Sequence, residues 1–277
     1  MNTSDTARFL SMLASFSTNA LTMGQRHARQ QAERLAAALL ETLLNAIDAN
    51  DPDTGGHVRR VAAYSLELAS AAGLDEPTMR SIERIALFHD IGKIHQALFD
   101  IVHDERKLTP VDRRAIRTHP GRGADVLAPI TPFYPDLRDG VLAHHEWWNG
   151  KGYPNSLRGL KIPLAARVVA IADTYDAVHH SRRYRGARGV QRALDVIAEG
   201  RGTQFDPELV DLFLCPPLVD ALREIEQTMK RRTVRRGRER RSGRTQKAVD
   251  VTFRWRDELP EPHEKKSKRK SPPRARR

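Results

Sequence analysis

Ile82-Glu83-Arg84-Ile85-Ala86-Leu87-Phe88-His89-Asp90-Ile91-Gly92-Lys93 carries an apolar helical face straight into a histidine and an aspartate. Asp75 is expected to cap this helix, with Pro77 in its first turn. Ile82, Ile85, Ala86, Leu87 and Phe88 then recur at helical spacing. The helix therefore ends on His89-Asp90. Some fifty residues later comes His144-His145-Glu146-Trp147-Trp148-Asn149-Gly150-Lys151-Gly152-Tyr153-Pro154. Imidazole with carboxylate is a ligand set for Fe, Mn or Zn. Two such clusters suggest more than one metal in one pocket, which is the chemistry of metal-assisted phosphoester hydrolysis.

Outward from this stretch the chain reads as all-α. Leu35, Leu39, Leu43 and Ile47 form a stripe on a helix over 27–49 that stops at Asn50-Asp51-Pro52. A second helix is expected from Thr54 to Ala72, with Val58, Val61, Leu66 and Leu68 inward and Gly73 terminating it. Thr109-Pro110 and Asp206-Pro207 open two later helices. An apolar helix over 161–178 sets Asp173 and Asp176 one turn apart on nearly the same face. The segment Gly150–Pro163, rich in Gly and Pro, reads as an ordered loop.

At 277 residues the chain fits one domain with extensions. A single cysteine, Cys215, excludes disulfides and cysteine-rich zinc sites and suits a reducing compartment. No apolar run is long enough to span a membrane. Phe9-Leu10-Ser11-Met12-Leu13-Ala14-Ser15-Phe16 is too interrupted by serine for a secretory signal. The expected location is the cytoplasm. The net charge of +12 is unevenly placed: residues 228–277 hold 20 Lys/Arg against 6 Asp/Glu, and the remainder is close to neutral. The expected division is a helical N-terminal extension over 1–35, one helical domain over 36–227 and a disordered basic tail over 228–277. The tail is either a solubilising extension or a weak tether to a polyanion, nucleic acid or anionic membrane.

Of eleven histidines, His27, His95, His103, His179, His180 and His263 read as ordinary surface or structural residues. The other five sit in dense polar motifs: His57 after Asp51-Pro52-Asp53-Thr54-Gly55-Gly56, His89 before Asp90, His119 before Pro120-Gly121, and His144 with His145. Asp173 lies in the apolar run Ala170-Ile171-Ala172. A buried, uncompensated carboxylate there costs several kcal/mol, so a cation or strong hydrogen bonds must offset it.

The ordered series His57, His89-Asp90, Lys93, His119, His144-His145, Gly152-Tyr153-Pro154 and Asp173 resembles the HD-GYP family, a subgroup of the HD superfamily of metal-dependent phosphohydrolases. The likeness continues through Ile162 to Asp176, Arg182-Arg183-Tyr184-Arg185 and Gly202-Thr203-Gln204-Phe205-Asp206-Pro207, about residues 40–215. It implies an HD-domain helical bundle with a Gly/Pro-rich GYP loop. It further implies a bacterial phosphodiesterase that hydrolyses cyclic di-GMP to pGpG and, for some members, GMP. The metal ligands it implies are His57, His89, Asp90, His119, His144, His145 and Asp173, with Asp90 bridging. They would hold two divalent transition metals, Fe or Mn, and a hydroxide between them. Asp90 and Lys93 carry the catalytic roles, and Lys93, Tyr153, Arg182 and Arg185 the substrate contacts.

The residue chemistry fits this reading. Neutral imidazoles with few aspartates leave the site electropositive enough for a phosphodiester. Lys93 is a point charge for the developing negative charge, and arginines offer bidentate donors to a phosphate or a guanine edge. Gly150 and Gly152 are expected to take positive φ and aim Tyr153. Trp147 and Trp148 are expected to pack against the domain, and Glu146 to orient a metal-bound imidazole. The sequence departs from the family at three places. Asp53 stands where three-metal members carry glutamate, so it either reaches a third metal or leaves a two-metal site. Ile94-His95-Gln96-Ala97-Leu98-Phe99-Asp100 lacks the usual proline and glycine. Asn149 replaces a common aspartate. Two other readings remain: a phosphodiesterase for another cyclic dinucleotide, or a sensor or scaffold of this fold that binds a cyclic dinucleotide or a signalling protein with little turnover.

Overall fold

The computed structural model describes residues 26–50, 52–94, 109–180 and 189–241. Helix α1 spans Arg26–Asn50, α2 spans Pro52–Ala71 and α3 spans Glu76–Phe88. A 3-10 turn follows at Ile91–Ile94. Then come α4, Pro110–Ile116, α5, His119–Leu127, and α6, Pro135–Ala143. The remaining helices are α7, Leu164–His179, α8, Gly189–Glu199, α9, Pro207–Phe213, and α10, Pro216–Arg241. Among the described residues the architecture is all-α, with two isolated β-bridges and no strand.

The caps explain where the helices begin. Asp75 accepts from the Thr78 amide, and Asp206 accepts from the Glu208 amide. Thr109 and Asp112 form a reciprocal capping box. Gly73 ends α2 with φ +68°, the left-handed position where a Cβ would be strained.

Helices α2 and α7 form the centre. Helix α2 packs against α1, α3, α7 and α10, and α7 also packs against α3 and α8. Val168, Val169, Ile171, Ala172 and Tyr175 of α7 are fully buried, as are Val61, Tyr64 and Leu68 of α2. A helix that is apolar nearly all round belongs inside, so Asp173 and Asp176 are carried into the interior with it.

Two expectations need correction. Leu35 is 42% exposed, while Ala36, Leu39, Leu40, Leu43, Leu44 and Ile47 are buried. A four-residue repeat drifts about 40° per step around a helix, so Leu35 is off the stripe set by Ile47. The expected boundary between Gln227 and Thr228 falls inside α10, which continues to Arg241. Leu218, Val219 and Leu222 anchor that helix, and strong helix formers carry it into the basic segment without a break. The segments 1–25 and 242–277, with most of the expected extension and tail, lie outside the described residues. No helix among the described residues is long and apolar enough to cross a membrane.

Candidate metal centre

Helix ends deliver most of the donors. His89 is the C-cap of α3 and His144 the C-cap of α6, while His119 follows α4 and opens α5. The last carbonyls of a helix lack intrahelical partners. Here each histidine donates its Nδ1–H to the carbonyl three residues earlier: His89 to Ala86 at 2.8 Å, His119 to Ile116 at 2.7 Å, and His144 to Val141 at 2.6 Å. A carbonyl can only accept, so Nδ1 carries a proton, and in the neutral ring Nε2 then keeps a bare lone pair. His57 on α2 is oriented instead by Asp176, its Nδ1 lying 2.7 Å from Oδ2.

The Nε2 atoms face inward in two groups. His57 Nε2 lies 3.3 Å from Asp173 Oδ1, and His89 Nε2 lies 3.7 Å from the same oxygen. Asp90 Oδ2 is 3.5 Å from His89 Nε2 and 3.8 Å from His57 Nε2. The other oxygen, Asp90 Oδ1, is 3.2 Å from His119 Nε2. His119 Nε2 is in turn 3.1 Å from His144 Nε2, and the His145 ring centroid is 4.1 Å from that of His144. Thus His57, His89 and Asp90 form one triad able to hold a metal, and His119, His144 and His145 another. The Asp90 carboxylate turns one oxygen to each.

These residues fit a pair of divalent cations. His89 Nε2 and Asp90 Oδ1 are buried without a hydrogen-bond partner, each costing about 1–3 kcal/mol if left so. The bare lone pairs of His119 and His144 point at one another. A cation in each group removes these penalties together.

The charge pattern agrees. Burial would raise the carboxyls of Asp90 and Asp173, but the Lys93 ammonium with the His89 and His119 imidazoles holds Asp90, and the His57 and His89 imidazoles hold Asp173, well below the usual range. Burial pushes His145 down to about 4 and His144 well below its ordinary value, helped by the other imidazoles. Both are therefore neutral donors at neutral pH. His57 is pulled down by burial but further up by Asp173 and Asp176, to about 10. A metal there displaces a proton.

Lys93 Nζ sits 2.6 Å from Asp90 Oδ2, so its ammonium is held by the carboxylate between the triads. Tyr153 stacks on His145 with ring centroids 4.9 Å apart, and the Arg117 guanidinium lies 4.4 Å above the Tyr153 ring. The loop carrying Tyr153 is fixed by Glu146, which accepts from the amides of Asn155 at 2.6 Å and Leu157 at 3.0 Å. Glu146 therefore orients the loop rather than a metal-bound imidazole. Gly150 takes φ +81° as expected. Gly152 is needed for a different reason: a Cβ there would lie 2.2 Å from the Trp147 amide nitrogen. Trp148 packs near Arg167, whose guanidinium is 5.9 Å from its ring. Arg182, Arg185 and His95 lie outside the described residues, as does the side chain of Asp53.

Several residues acquire roles that the sequence did not reveal. Asp176 is 1% exposed. It binds His57 and also receives Arg60 through Nε at 2.6 Å and Nη2 at 2.9 Å. His180 Nδ1 lies 3.0 Å from the same carboxylate. The i, i+3 spacing of Asp173 and Asp176 was the available signal. Gly92 lets the turn after Asp90 press on α5, where a Cβ would meet the His119 carbonyl oxygen at 2.1 Å.

The described residues thus form an all-α bundle whose helix-end histidines and aspartates gather in two groups that could hold metal ions. The HD domain family model matches residues 41–209, and the chain belongs to that family. It is 35% identical over 178 residues to 3'3'-cGAMP-specific phosphodiesterase 2 of Vibrio cholerae, covering 64% of this chain and 34% of that protein. It is 34% identical over 199 residues to the cyclic di-GMP phosphodiesterase response regulator RpfG of Xanthomonas campestris pv. campestris, covering 70% and 52%. The chain thus spans between a third and about half of the length of these relatives. An HDG"Y"P protein from Bdellovibrio bacteriovorus shares the fold at TM-score 0.51 and 20% identity, over 77% of this chain and 71% of that one.

Proposed function

We propose that this chain is a metal-dependent phosphodiesterase that hydrolyses cyclic di-GMP to pGpG, with GMP as a further product. The observation that carries this reading is the Asp90 carboxylate, with one oxygen toward His57 and His89 and the other toward His119. His57, His89, Asp90 and Asp173 would hold one divalent ion, and His119, His144, His145 and Asp90 the other. The ions, when bound, supply Lewis-acid charge and a lowered pKa for water. Fe and Mn suit a site of imidazole and carboxylate donors, and Asp53, at the position where three-metal members of the family carry glutamate, is the candidate ligand for a third ion.

The chain's own groups do the rest. Lys93 stays a cation because Asp90 and Asp173 outweigh the lowering effect of its burial. It restrains Asp90 in the ground state and offers charge to the phosphoryl oxygens as they become more negative. Tyr153 walls the site over His145, and Arg117 adds a cation at its rim. Arg182 and Arg185 are assigned to substrate phosphate or guanine edges.

The relatives named as 3'3'-cGAMP-specific favour a second substrate within the same class. Retention of all seven donors speaks against a scaffold without turnover. The test uses purified protein loaded anaerobically with Mn or Fe, with metal content measured on the same sample. Cyclic di-GMP and 3'3'-cGAMP are supplied separately and products resolved. Linear dinucleotide from cyclic di-GMP is expected. Turnover of 3'3'-cGAMP alone moves the assignment to that substrate, and tight binding without turnover by a fully loaded protein overturns the enzymatic reading.

A further inference from the structure

On the side of Asp176 away from His57, a second cluster of donors converges between α7 and α10. His179 is the last residue of α7 and His180 its C-cap. Adjacent residues within a helix point about 100° apart. The backbone leaves the helix at His180, which brings the two rings to a centroid distance of 4.4 Å at 89°. Glu226 of α10 meets both: its Oε2 lies 3.4 Å from His179 Nε2 and 3.4 Å from His180 Nε2. Its other oxygen accepts from the Tyr64 hydroxyl.

We propose that His179, His180 and Glu226 form a second metal site, distinct from the His/Asp centre, which takes a zinc-class divalent ion and clamps α10 onto α7. Two imidazoles and one carboxylate make the three-ligand set of an open tetrahedral zinc site. Arms of about 2.0–2.1 Å place tetrahedral donors about 3.3–3.4 Å apart, which is the spacing from Glu226 Oε2 to each imidazole. The surrounding hydrogen bonds fit as well. His180 presents Nε2 to the cluster while its Nδ1 faces the Asp176 carboxylate at 3.0 Å, the carboxylate–histidine–metal arrangement that fixes a ligand's tautomer. Tyr64 holds the carboxylate of Glu226 in the same way.

Burial supports retention of an ion. Glu226 is 5% exposed, and the His180 side chain, at 30%, leaves a way in for the ion and a water. Asp176 and Glu226 supply two negative charges against Arg60, which Asp176 already binds. Without a metal, a protonated His180 can bridge the two carboxylates instead, so ion uptake releases a proton and weakens in acid. Because Asp176 also orients His57, the site would share a carboxylate with the catalytic centre.

The test is a Co2+ titration of the metal-stripped full chain, read by ion count and visible absorption. Wild type should bind one ion per chain more than His180→Gln or Glu226→Gln. The extra ion should give the intense visible bands of tetrahedral cobalt and persist in Asp90→Ala. Equal counts and spectra in wild type and both folded variants would leave a charged clasp only and overturn the proposal. Should the variants fail to fold, wild-type crystals soaked in Co2+ decide the matter. An anomalous peak within about 2.3 Å of the three donors is expected, and its absence at saturating Co2+ overturns the site.

Discussion

His119 and His144 set Nε2 against Nε2 at 3.1 Å, while each ring commits its Nδ1–H to a helix-end carbonyl. Two lone pairs so placed repel, and the arrangement is stable only with a cation or proton between them. Burial and the adjacent imidazoles depress the proton affinity of His144. The cation is therefore the better partner near neutral pH.

Asp90→Ala and His144→Ala should each abolish hydrolysis and lower bound metal while leaving helicity largely intact. Asp176→Asn, which loosens the orientation of His57, should cost about 10- to 100-fold in metal affinity or activity. Elemental analysis, circular dichroism and initial rates on the same samples check all three. Full activity in Asp90→Ala would remove the bridging role.

Two glycines separate close approach from mere chain flexibility. A Cβ at Gly92 meets the His119 carbonyl oxygen at 2.1 Å, whereas one at Gly121 meets nothing within 4 Å. Gly92→Ala should destabilise the fold by about 2–3 kcal/mol and displace Asp90 or His119. Gly121→Ala, within α5, should be neutral or stabilising by up to about 1 kcal/mol. Urea unfolding of the two variants provides the comparison.

In metal-stripped protein, burial lowers His180, but Asp176 and Glu226 outweigh this and raise it to about 9. A raised histidine binds its proton more tightly when folded. Its contribution is fully present below about pH 6.5, the unfolded value, and is lost as pH rises through about 9. The unfolding midpoint should therefore fall between pH 6 and pH 9.5 by more in wild type than in His180→Gln, measured with chelator present. His57 titrates over much of the same range and shares Asp176 with His180, so the difference reads His180 together with its coupling to His57. Equal slopes would reject the clasp.

Lys93→Ala should lower kcat more than it raises KM, and should also weaken metal retention, because Lys93 holds Asp90 at 2.6 Å. Arg182→Ala, Arg185→Ala and Arg117→Ala should act mainly on KM. Steady-state kinetics with cyclic di-GMP distinguish the two groups, and the opposite pattern would exchange the assignments.

A chain ending at Arg241 keeps α10 whole and every proposed donor. Its kcat should stay within about three-fold of the full chain, while salt-sensitive binding to polyanions should weaken with the lost Lys and Arg. A chain ending at Gln227 cuts α10 one residue after Glu226 and should be the less stable of the two. Thermal unfolding and polyanion binding at two salt concentrations check both.

The sequence by itself determined helices α1, α2, α3, α4, α7 and α9, the caps at Asp75, Thr109 and Asp206, and the seven candidate donors. Each is written in local chemistry: Asp75, Thr109 and Asp206 before their helices, the apolar run into His89-Asp90, and the paired His144-His145. The likeness to the HD-GYP family was equally legible, because it rests on the order of those motifs. The tertiary structure alone decided which candidate donors lie together and what orients them. Asp176 reaches His57 across 119 positions, and Tyr64 reaches Glu226 across 162. His179 and His180 read as ordinary histidines because nothing near them in sequence marks Glu226 as a neighbour. Their partnership exists only once burial of Leu218, Val219 and Leu222 docks α10 against the bundle. Helical periodicity reports which face a residue occupies. It carries no information about which distant face will be pressed against it, since that is settled by the packing of the whole core.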